Sequence, residues 1–146
     1  MPWPQGVLSV LTCADAVLSE GRRTVPRMTI SIGGMVIDCA DPRKLAEFWT
    51  AAVGGSVSLD VGDGAFLMVQ GKEGAPYLGL QRVPEPRAGK NRAHPDFQAE
   101  DRPGEVTRLV GLGATELAEY AFEEYAWTVL ADPEGNEFCV GGPVTS

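Results

Sequence analysis

The sequence predicts an α+β fold made of two successive βαβββ modules, at about residues 30–83 and 92–141. Two observations predict this fold. The same order of patterns, a strand, an Asp-capped helix and three short strands, occurs twice along the chain. A turn-rich segment, PEPRAGKN, separates the two copies. Internal duplication of this kind is typical of folds assembled from repeated supersecondary units.

The first module begins with ISIGGMVIDC, residues 30–39, whose β-branched residues predict a strand. Asp41 followed by Pro42 supplies an N-cap carboxylate and a proline at the first helical position, which predicts the start of a helix. An apolar helical face then recurs at i, i+3, i+4 and i+7, formed by Leu45, Phe48, Trp49 and Ala52. Strands are predicted at about 56–61, 65–70 and 76–83.

The second module repeats this order. A strand is predicted at 93–99, and Asp101 with Pro103 indicates the next helix start. The apolar face of that helix is assigned to Val106, Leu109 and Val110. Three further strands are predicted at about 115–120, 126–131 and 137–141. Residues 1–27 fit neither module, so we interpret them as a loosely ordered N-terminal extension of a domain at 28–146.

Composition excludes several classes of function. The formal net charge of −8 argues against nucleic acid, whose binding requires clusters of Lys and Arg. No apolar run approaches the ~20 residues that a membrane span needs. The three cysteines form no CxxC pair and leave an odd thiol, which favours a reducing, cytoplasmic environment over a disulfide framework.

Strand alternation assigns candidate site residues to the sheet faces that point away from the helices. His94 and Asp96 share one such face, and they could bind a polar group or act as an acid/base pair. Asp38 is placed on the equivalent face of the first strand, and Cys139 on that of the last strand. Cys139 has no basic neighbour in sequence, so we interpret it as a small lining residue more readily than as a nucleophile. Trp127 could supply an aromatic wall, but its face is not determined by sequence.

Four motifs in order carry a resemblance to a known group: VIDCADPRKLAEFW, GLQRVPEP, GKNRAH and WTVLADPEGNEFCV. From about Ile30 to Pro143 the chain resembles glyoxalase-like proteins of the vicinal oxygen chelate superfamily. That group includes glyoxalase I, extradiol dioxygenases and the bleomycin and fosfomycin resistance proteins. The resemblance implies that each module curls its sheet into half of a cup. It also implies a small-molecule ligand in the cup and pairing of modules across a homodimer.

Metal-binding members of this superfamily take one ligand from the first and one from the last strand of each module. The matching positions in this chain are Gly34, Gln81, His94 and Cys139. Such chemistry requires at least three good imidazole or carboxylate donors, and only His94 qualifies. Glu137 lies two residues, ~6.6 Å, from Cys139 along the strand and does not replace a missing carboxylate. We therefore expect no metal and no other cofactor.

The resemblance implies a protein that binds a small organic molecule and sequesters it, as resistance proteins of this superfamily do. The expected ligand-binding residues are His94, Asp96, Gln81, Asp38, Cys139 and Trp127. Two alternatives remain at this point. One is an enzyme, a lyase or isomerase that uses His94 and Asp96, or a dioxygenase-type enzyme with a misaligned metal site. The other is a structural or regulatory partner whose cup is filled.

Overall fold

The computed structural model describes residues 32–144, so the predicted extension at 1–27 lies outside the described residues. The first five elements are β1 (Gly34–Cys39), α1 (Pro42–Val53), β2 (Ser56–Val61), β3 (Phe66–Gln70) and β4 (Tyr77–Arg82). The second five are β5 (Asp96–Gln98), α2 (Arg102–Gly111), β6 (Thr115–Phe122), β7 (Tyr125–Ala131) and β8 (Glu137–Pro143). The predicted fold class, an α+β arrangement of two βαβββ modules, is confirmed.

Each module folds its four strands into one sheet with the same topology. The first sheet has the order β1-β4-β3-β2 and the second the order β5-β8-β7-β6. In both sheets the first strand pairs in parallel with the last strand, and the remaining pairs are antiparallel. This topology makes Gly34 the register partner of Tyr77, and Asp96 that of Cys139. The first and last strands of each module are therefore direct neighbours.

Both helices begin where the sequence indicates. The Asp41 side chain accepts a hydrogen bond from the Lys44 backbone N–H at 3.2 Å, and Asp101 accepts one from that of Gly104 at 3.0 Å. Gly54 ends α1 with φ 63°, a left-handed conformation that glycine adopts without steric cost. Each helix packs on one face of its own sheet. We call the opposite face of each sheet its open face.

Two details differ from the sequence-based expectation. Strand β5 begins at Asp96 and not at 93, because Pro95 has no backbone N–H to donate to a ladder; its carbonyl still accepts a bond from the Cys139 N–H at 2.9 Å. Val110 is 44% exposed and is not part of the core. The buried side of α2 follows Arg102, Val106 and Leu109 at i, i+4 and i+7, which leaves Val110 outside that stripe.

The two modules share one hydrophobic core. The Trp49 ring of α1 lies 5.8 Å from the ring of Phe97 and 5.1 Å from that of Phe138, centroid to centroid, and both partners belong to the second sheet. Phe48 also contacts Phe138, at 6.2 Å. Both Trp49 and Phe138 are 1% exposed. The helix of the first module therefore packs against the second module as well as its own, and this fixes the orientation of both open faces.

Polar contacts also hold α1 of the first module against the second module. The Trp49 indole N–H donates to the Asp132 carboxylate at 3.2 Å. Two residues further along the same turn, the Glu134 carboxylate accepts from the backbone N–H groups of Ala40 and Asp41, at 2.7 and 2.9 Å. These groups lie at the N-terminus of α1, where the helix dipole favours negative charge. At the other end of α1, Arg108 of α2 donates to the carbonyls of Ala51 and Ala52.

The Glu134 contact predicts a measurable stability effect. Glu134→Ala should lower the free energy of unfolding by about 1–2 kcal/mol, because it removes two charge-assisted bonds at a helix N-terminus. Urea unfolding followed by circular dichroism measures this difference. Glu124→Ala, an exposed glutamate of the β6–β7 turn, is the matched control and should change stability by less than about 0.5 kcal/mol. Equal effects of the two substitutions would contradict the assignment.

Candidate functional site

The predicted site residues divide between the two sheets. Asp38 and Gln81 are register partners on the first sheet, and both are exposed. His94, Asp96, Cys139 and Trp127 belong to the second sheet or to the segment just before it. Only this second group contains three residues that the structure brings into mutual contact distance. The candidate site is therefore centred on the open face of the second sheet.

His94, Asp96 and Cys139 form the polar centre of this face. One ligating atom of each residue lies within 4.8 Å of those of the other two. His94 Nε2 is 3.2 Å from Asp96 Oδ1, and Cys139 is directly opposite Asp96 in the β5–β8 ladder. The Asp96 side chain is 65% exposed and that of His94 37%, whereas Cys139 is 8% exposed. The accessible groups for a ligand are thus the carboxylate and the imidazole, with the thiol beneath them.

The environment of Cys139 argues against a reactive nucleophile. Burial, followed by the nearby Asp96 carboxylate, raises the pKa of its thiol from 9.0 to about 11. The thiolate is the nucleophilic form of cysteine, and reactive cysteines have a lowered pKa in electropositive surroundings. Asp96 lies beside the Cys139 thiol and also contacts the His94 imidazole. His94, Asp96 and Cys139 are therefore not arranged as a cysteine nucleophile activated by a histidine base.

Trp127 faces the open side of the second sheet, a point that the sequence left undetermined. Its strand neighbours Ala126 and Thr128 are buried against the core, so alternation places Trp127 with Tyr125 on the opposite face. Tyr120 of β6 is the register partner of Trp127, and their rings stack with centroids 5.5 Å apart and an interplanar angle of 23°. The ring of Tyr125 lies 6.3 Å from that of Trp127.

The sequence did not identify Tyr120, Tyr125 and Gln98 as residues of this open face. The Tyr125 hydroxyl both donates to and accepts from the Gln98 side-chain amide, at 3.0 and 2.8 Å. The available signal was the alternation of Tyr120 with Phe122 and of Tyr125 with Trp127 across a short turn. The alternation alone does not show that the rings of the two strands share a face, because the register of the hairpin has to be known first. A one-residue shift of one strand would move its rings to the other side of the sheet.

The residues at the four metal-ligand positions do not fit a divalent ion. A Cβ atom at Gly34 would lie 2.5 Å from the Tyr77 ring, so that ring fills the space in which a ligand side chain would start. Gln81, on the same sheet, offers only a neutral amide, and the pKa of the Cys139 thiol is raised. Glu137 is paired with Arg87 at 3.2 Å and Lys90 at 3.6 Å, which offsets its charge. His94 alone retains the donor that the superfamily pattern requires at these positions.

Two clefts lie near the junction of the modules. A mostly apolar cleft of about 720 Å³ includes Asp96 in its lining, and a more polar one of about 560 Å³ includes Asp38. Gln81, His94, Cys139 and Trp127 line neither of these two clefts. In a single chain, as far as the described residues show, most of the predicted ligand residues therefore lie on open sheet surfaces and not in these clefts.

Comparison with known proteins establishes the family. The glyoxalase-like domain model matches residues 34–141, so this chain belongs to the glyoxalase-like domain family. No curated protein sequence matches the chain significantly.

Solved structures agree with this fold. A glyoxalase/bleomycin resistance protein/dioxygenase family enzyme from Burkholderia phytofirmans PsJN aligns with a TM-score of 0.66 at 18% identity, covering 79% of this chain and 100% of that chain. The fosfomycin resistance protein FosX from Mesorhizobium loti gives a TM-score of 0.63 at 13% identity, covering 80% and 95%. TnmS3, an antibiotic binding protein from Streptomyces sp., gives 0.63 at 22% identity, covering 80% and 99%. At these identities the likeness establishes the fold alone.

No helix in residues 32–144 is long and apolar enough to cross a membrane. Both cysteines of that part of the chain, Cys39 and Cys139, are free and buried.

The raised thiol pKa predicts a slow and carboxylate-dependent reaction at Cys139. At pH 8 iodoacetamide should modify native Cys139 about a hundredfold more slowly than free cysteine, because two pH units separate the two pKa values. Asp96→Asn removes a negative charge, lowers the thiol pKa and should speed the reaction severalfold. Peptide-resolved mass spectrometry measures the rates, and Glu47→Gln on the exposed side of α1 is the control. Modification of Cys139 at the free-cysteine rate would contradict this environment.

Proposed function

We propose that this protein binds a small organic molecule on the open face of its second sheet and holds it without a metal ion, as a sequestering or resistance-type protein. The observation that carries the proposal is the exposed His94–Asp96 pair on the same open face as an uncovered aromatic surface. The pair supplies directional polar contacts, and the rings supply apolar contact area. The four positions that match superfamily metal ligands supply one good donor, His94, which supports recognition by side chains.

The related structures support a binding role at the level of the family. FosX is named as a fosfomycin resistance protein and TnmS3 as an antibiotic binding protein. By analogy, Asp38 and Gln81 of the first sheet would contribute to the opposite side of the ligand, as the superfamily cup implies. We also propose a cytoplasmic location, which the free thiols of Cys39 and Cys139 support.

A second candidate function is a lyase or isomerase that uses His94 and Asp96 as an acid/base pair. The 3.2 Å contact between Nε2 and Oδ1 favours it, because a carboxylate orients an imidazole for proton transfer. The two candidates differ in outcome: the binding protein returns its ligand unchanged, whereas the enzyme converts it with multiple turnovers.

We further propose that a second copy of the chain completes the cup. Both open faces carry exposed apolar side chains: Val36, Leu59 and Val61 on the first sheet, and Tyr120, Phe122 and Tyr125 on the second. Exposed apolar patches of this kind are typical of interaction surfaces. Pairing the first sheet of one copy with the second sheet of the other would cover both faces and enclose the ligand residues between them.

The dimer proposal predicts a change of oligomeric state on a charge substitution. Val61→Asp should convert a dimer to a monomer at micromolar concentration, because it buries an unpaired carboxylate in the proposed interface. Sedimentation equilibrium measures the mass, and Val110→Asp, on the exposed side of α2, is the matched control. A wild-type protein that sediments as a monomer at high concentration would contradict the proposal.

The binding proposal predicts metal-independent affinity that depends on His94. In a thermal-shift panel of small antibiotics, at least one compound should stabilise the protein with saturable, one-to-one binding confirmed by calorimetry. EDTA should leave its affinity unchanged, and His94→Ala should weaken it about tenfold, the usual effect of losing a hydrogen bond to a charged or polar partner. Metal analysis of the purified protein should find no stoichiometric zinc, iron, manganese or nickel. One ion per chain that is lost in His94→Ala would overturn the proposal, and turnover of the compound would favour the enzyme.

A further inference from the structure

Strand register identifies which residues of the first sheet correspond to the polar centre of the second sheet. Cys139 is the register partner of Asp96, which lies five residues before the N-cap of α2. The residue five positions before the N-cap of α1 is Val36, and its register partner is Gly79. Because both modules share one topology, Gly79 and not Gln81 is the structural counterpart of Cys139. The sequence-based match to Gln81 is therefore shifted by two residues along β4.

Both first-sheet counterparts of the polar centre are glycines. His94 and Gly34 each lie seven residues before the N-cap of the following helix, so Gly34 is the counterpart of His94. Register pairs Gly34 with Tyr77 and Val36 with Gly79, so the two glycines are diagonal neighbours on adjacent strands. The first sheet therefore has no side chain at the two positions where the second sheet has an imidazole and a thiol.

An aromatic ring occupies the space above each of these glycines. A Cβ atom at Gly34 would lie 2.5 or 2.6 Å from three atoms of the Tyr77 ring. A Cβ atom at Gly79 would lie 2.9 Å from two atoms of the Phe66 ring. We call Tyr77 and Phe66 the covering rings. Rings that cover the backbone of a glycine stabilise a sheet, and here they also fill the volume in which a ligand side chain would begin.

The Tyr77 ring cannot clear this space by turning in place. One of its atoms close to the Cβ position of Gly34 is Cγ, at 2.6 Å, and Cγ does not move when the ring rotates about the Cβ–Cγ bond. The Tyr77 backbone N–H donates to the Gly33 carbonyl at 3.1 Å, which holds the residue beside β1. A donor side chain at residue 34 therefore requires Tyr77 to leave its rotamer or to be replaced by a smaller residue.

We propose that the covering rings close the first sheet to metal ligands, so that this protein excludes a divalent ion by volume as well as by its donor set. Tyr77 and Phe66 are then specificity-determining residues of the cup. The first sheet contributes a filled apolar surface, and the second contributes the polar groups of His94 and Asp96. This inference rests on the proposed metal-free function and names the residues that enforce it on the first sheet.

The test introduces a pair of histidines and compares nickel binding with and without the covering rings. Gly34→His with Gly79→His should bind Ni²⁺ no more tightly than the unmodified protein while both rings are present. Adding Phe66→Ala and Tyr77→Ala should raise the affinity for Ni²⁺ about tenfold and add one ion per chain, because the two imidazoles can then converge. Calorimetry with Ni²⁺ alone measures the affinities, and circular dichroism confirms that each variant is folded.

Two control variants isolate the effect of the rings. Asp38 and Gln81 are exposed register partners on the same sheet, so Asp38→His with Gln81→His should bind Ni²⁺ while both rings are present. Phe66→Ala with Tyr77→Ala should gain no site, because the glycines supply no donor. If the histidine pair at the glycine positions binds Ni²⁺ equally well with and without the rings, the proposal is overturned.

A second measurement does not depend on the fourfold variant. Gly34→Ala should lower the thermal midpoint by about 5 °C, because its methyl group meets the Tyr77 ring. In the Tyr77→Ala protein the same substitution should not lower the midpoint. Gly111→Ala, where an added Cβ atom meets nothing within 4 Å, should not lower it in either protein. An equal loss from Gly34→Ala in both proteins would overturn the proposal, whereas metal analysis of the unmodified protein tests the proposed function separately.

Discussion

The packing of Trp49 between the modules is the interaction on which the rest of the structure depends. Its ring belongs to the first module, yet it contacts Phe97 and Phe138 of the second sheet and donates its indole N–H to Asp132. A buried tryptophan requires both a large apolar contact and a partner for its N–H, and the second module provides both. The helix-bearing faces of the two sheets are buried in this shared core. The open faces, opposite the helices, are the ones left exposed.

The turn between β7 and β8 stabilises the contact between the two modules, and its acidic residues are used for that contact. Asp132 is 3% exposed, and its burial raises the pKa of the carboxyl group, while hydrogen bonds from Asn136, Glu134 and Trp49 oppose that rise. The same turn directs Glu134 to the N-terminus of α1. The acidic residues of DPEGN are therefore accounted for by backbone and indole donors.

Local patterns predicted the fold because each element of this chain agrees with its own sequence signal. Asp41 and Asp101 cap the two helices, Leu45 and Phe48 lie on the buried stripe, and the alternation in β8 directs Phe138 to the core. The site was less accessible to the same reasoning. The position of Asp96 opposite Cys139, and of Tyr120 opposite Trp127, depends on strand register, which is a pairing between distant segments.

The contact of Tyr77 with Gly34 could not be predicted either, because it also depends on strand register. This contact shows that more than a donor atom is missing at residue 34. Read as a sequence, Gly34 is only an absent donor. In the structure the neighbouring ring occupies the volume that a donor would need, so Gly34→His alone would meet Tyr77 at the first side-chain atom. Restoring a donor at this position thus requires a smaller residue at 77 as well, a condition that only the β1–β4 register reveals.

At the positions that match the superfamily's metal ligands, the adjacent strand covers the site on both sheets. On the first sheet, Gly34 is covered by a ring from the adjacent strand; on the second, the Cys139 thiol lies beneath Asp96 from the adjacent strand and stays protonated because its pKa is raised. Of these two positions, Gly34 offers no donor atom and Cys139 offers a protonated thiol, with Asp96 and His94 within 4.8 Å of it. The groups left accessible are the imidazole, one carboxylate and a surface of nearly parallel rings. The chemistry expected of Cys139 is that of a buried thiol that supports this surface.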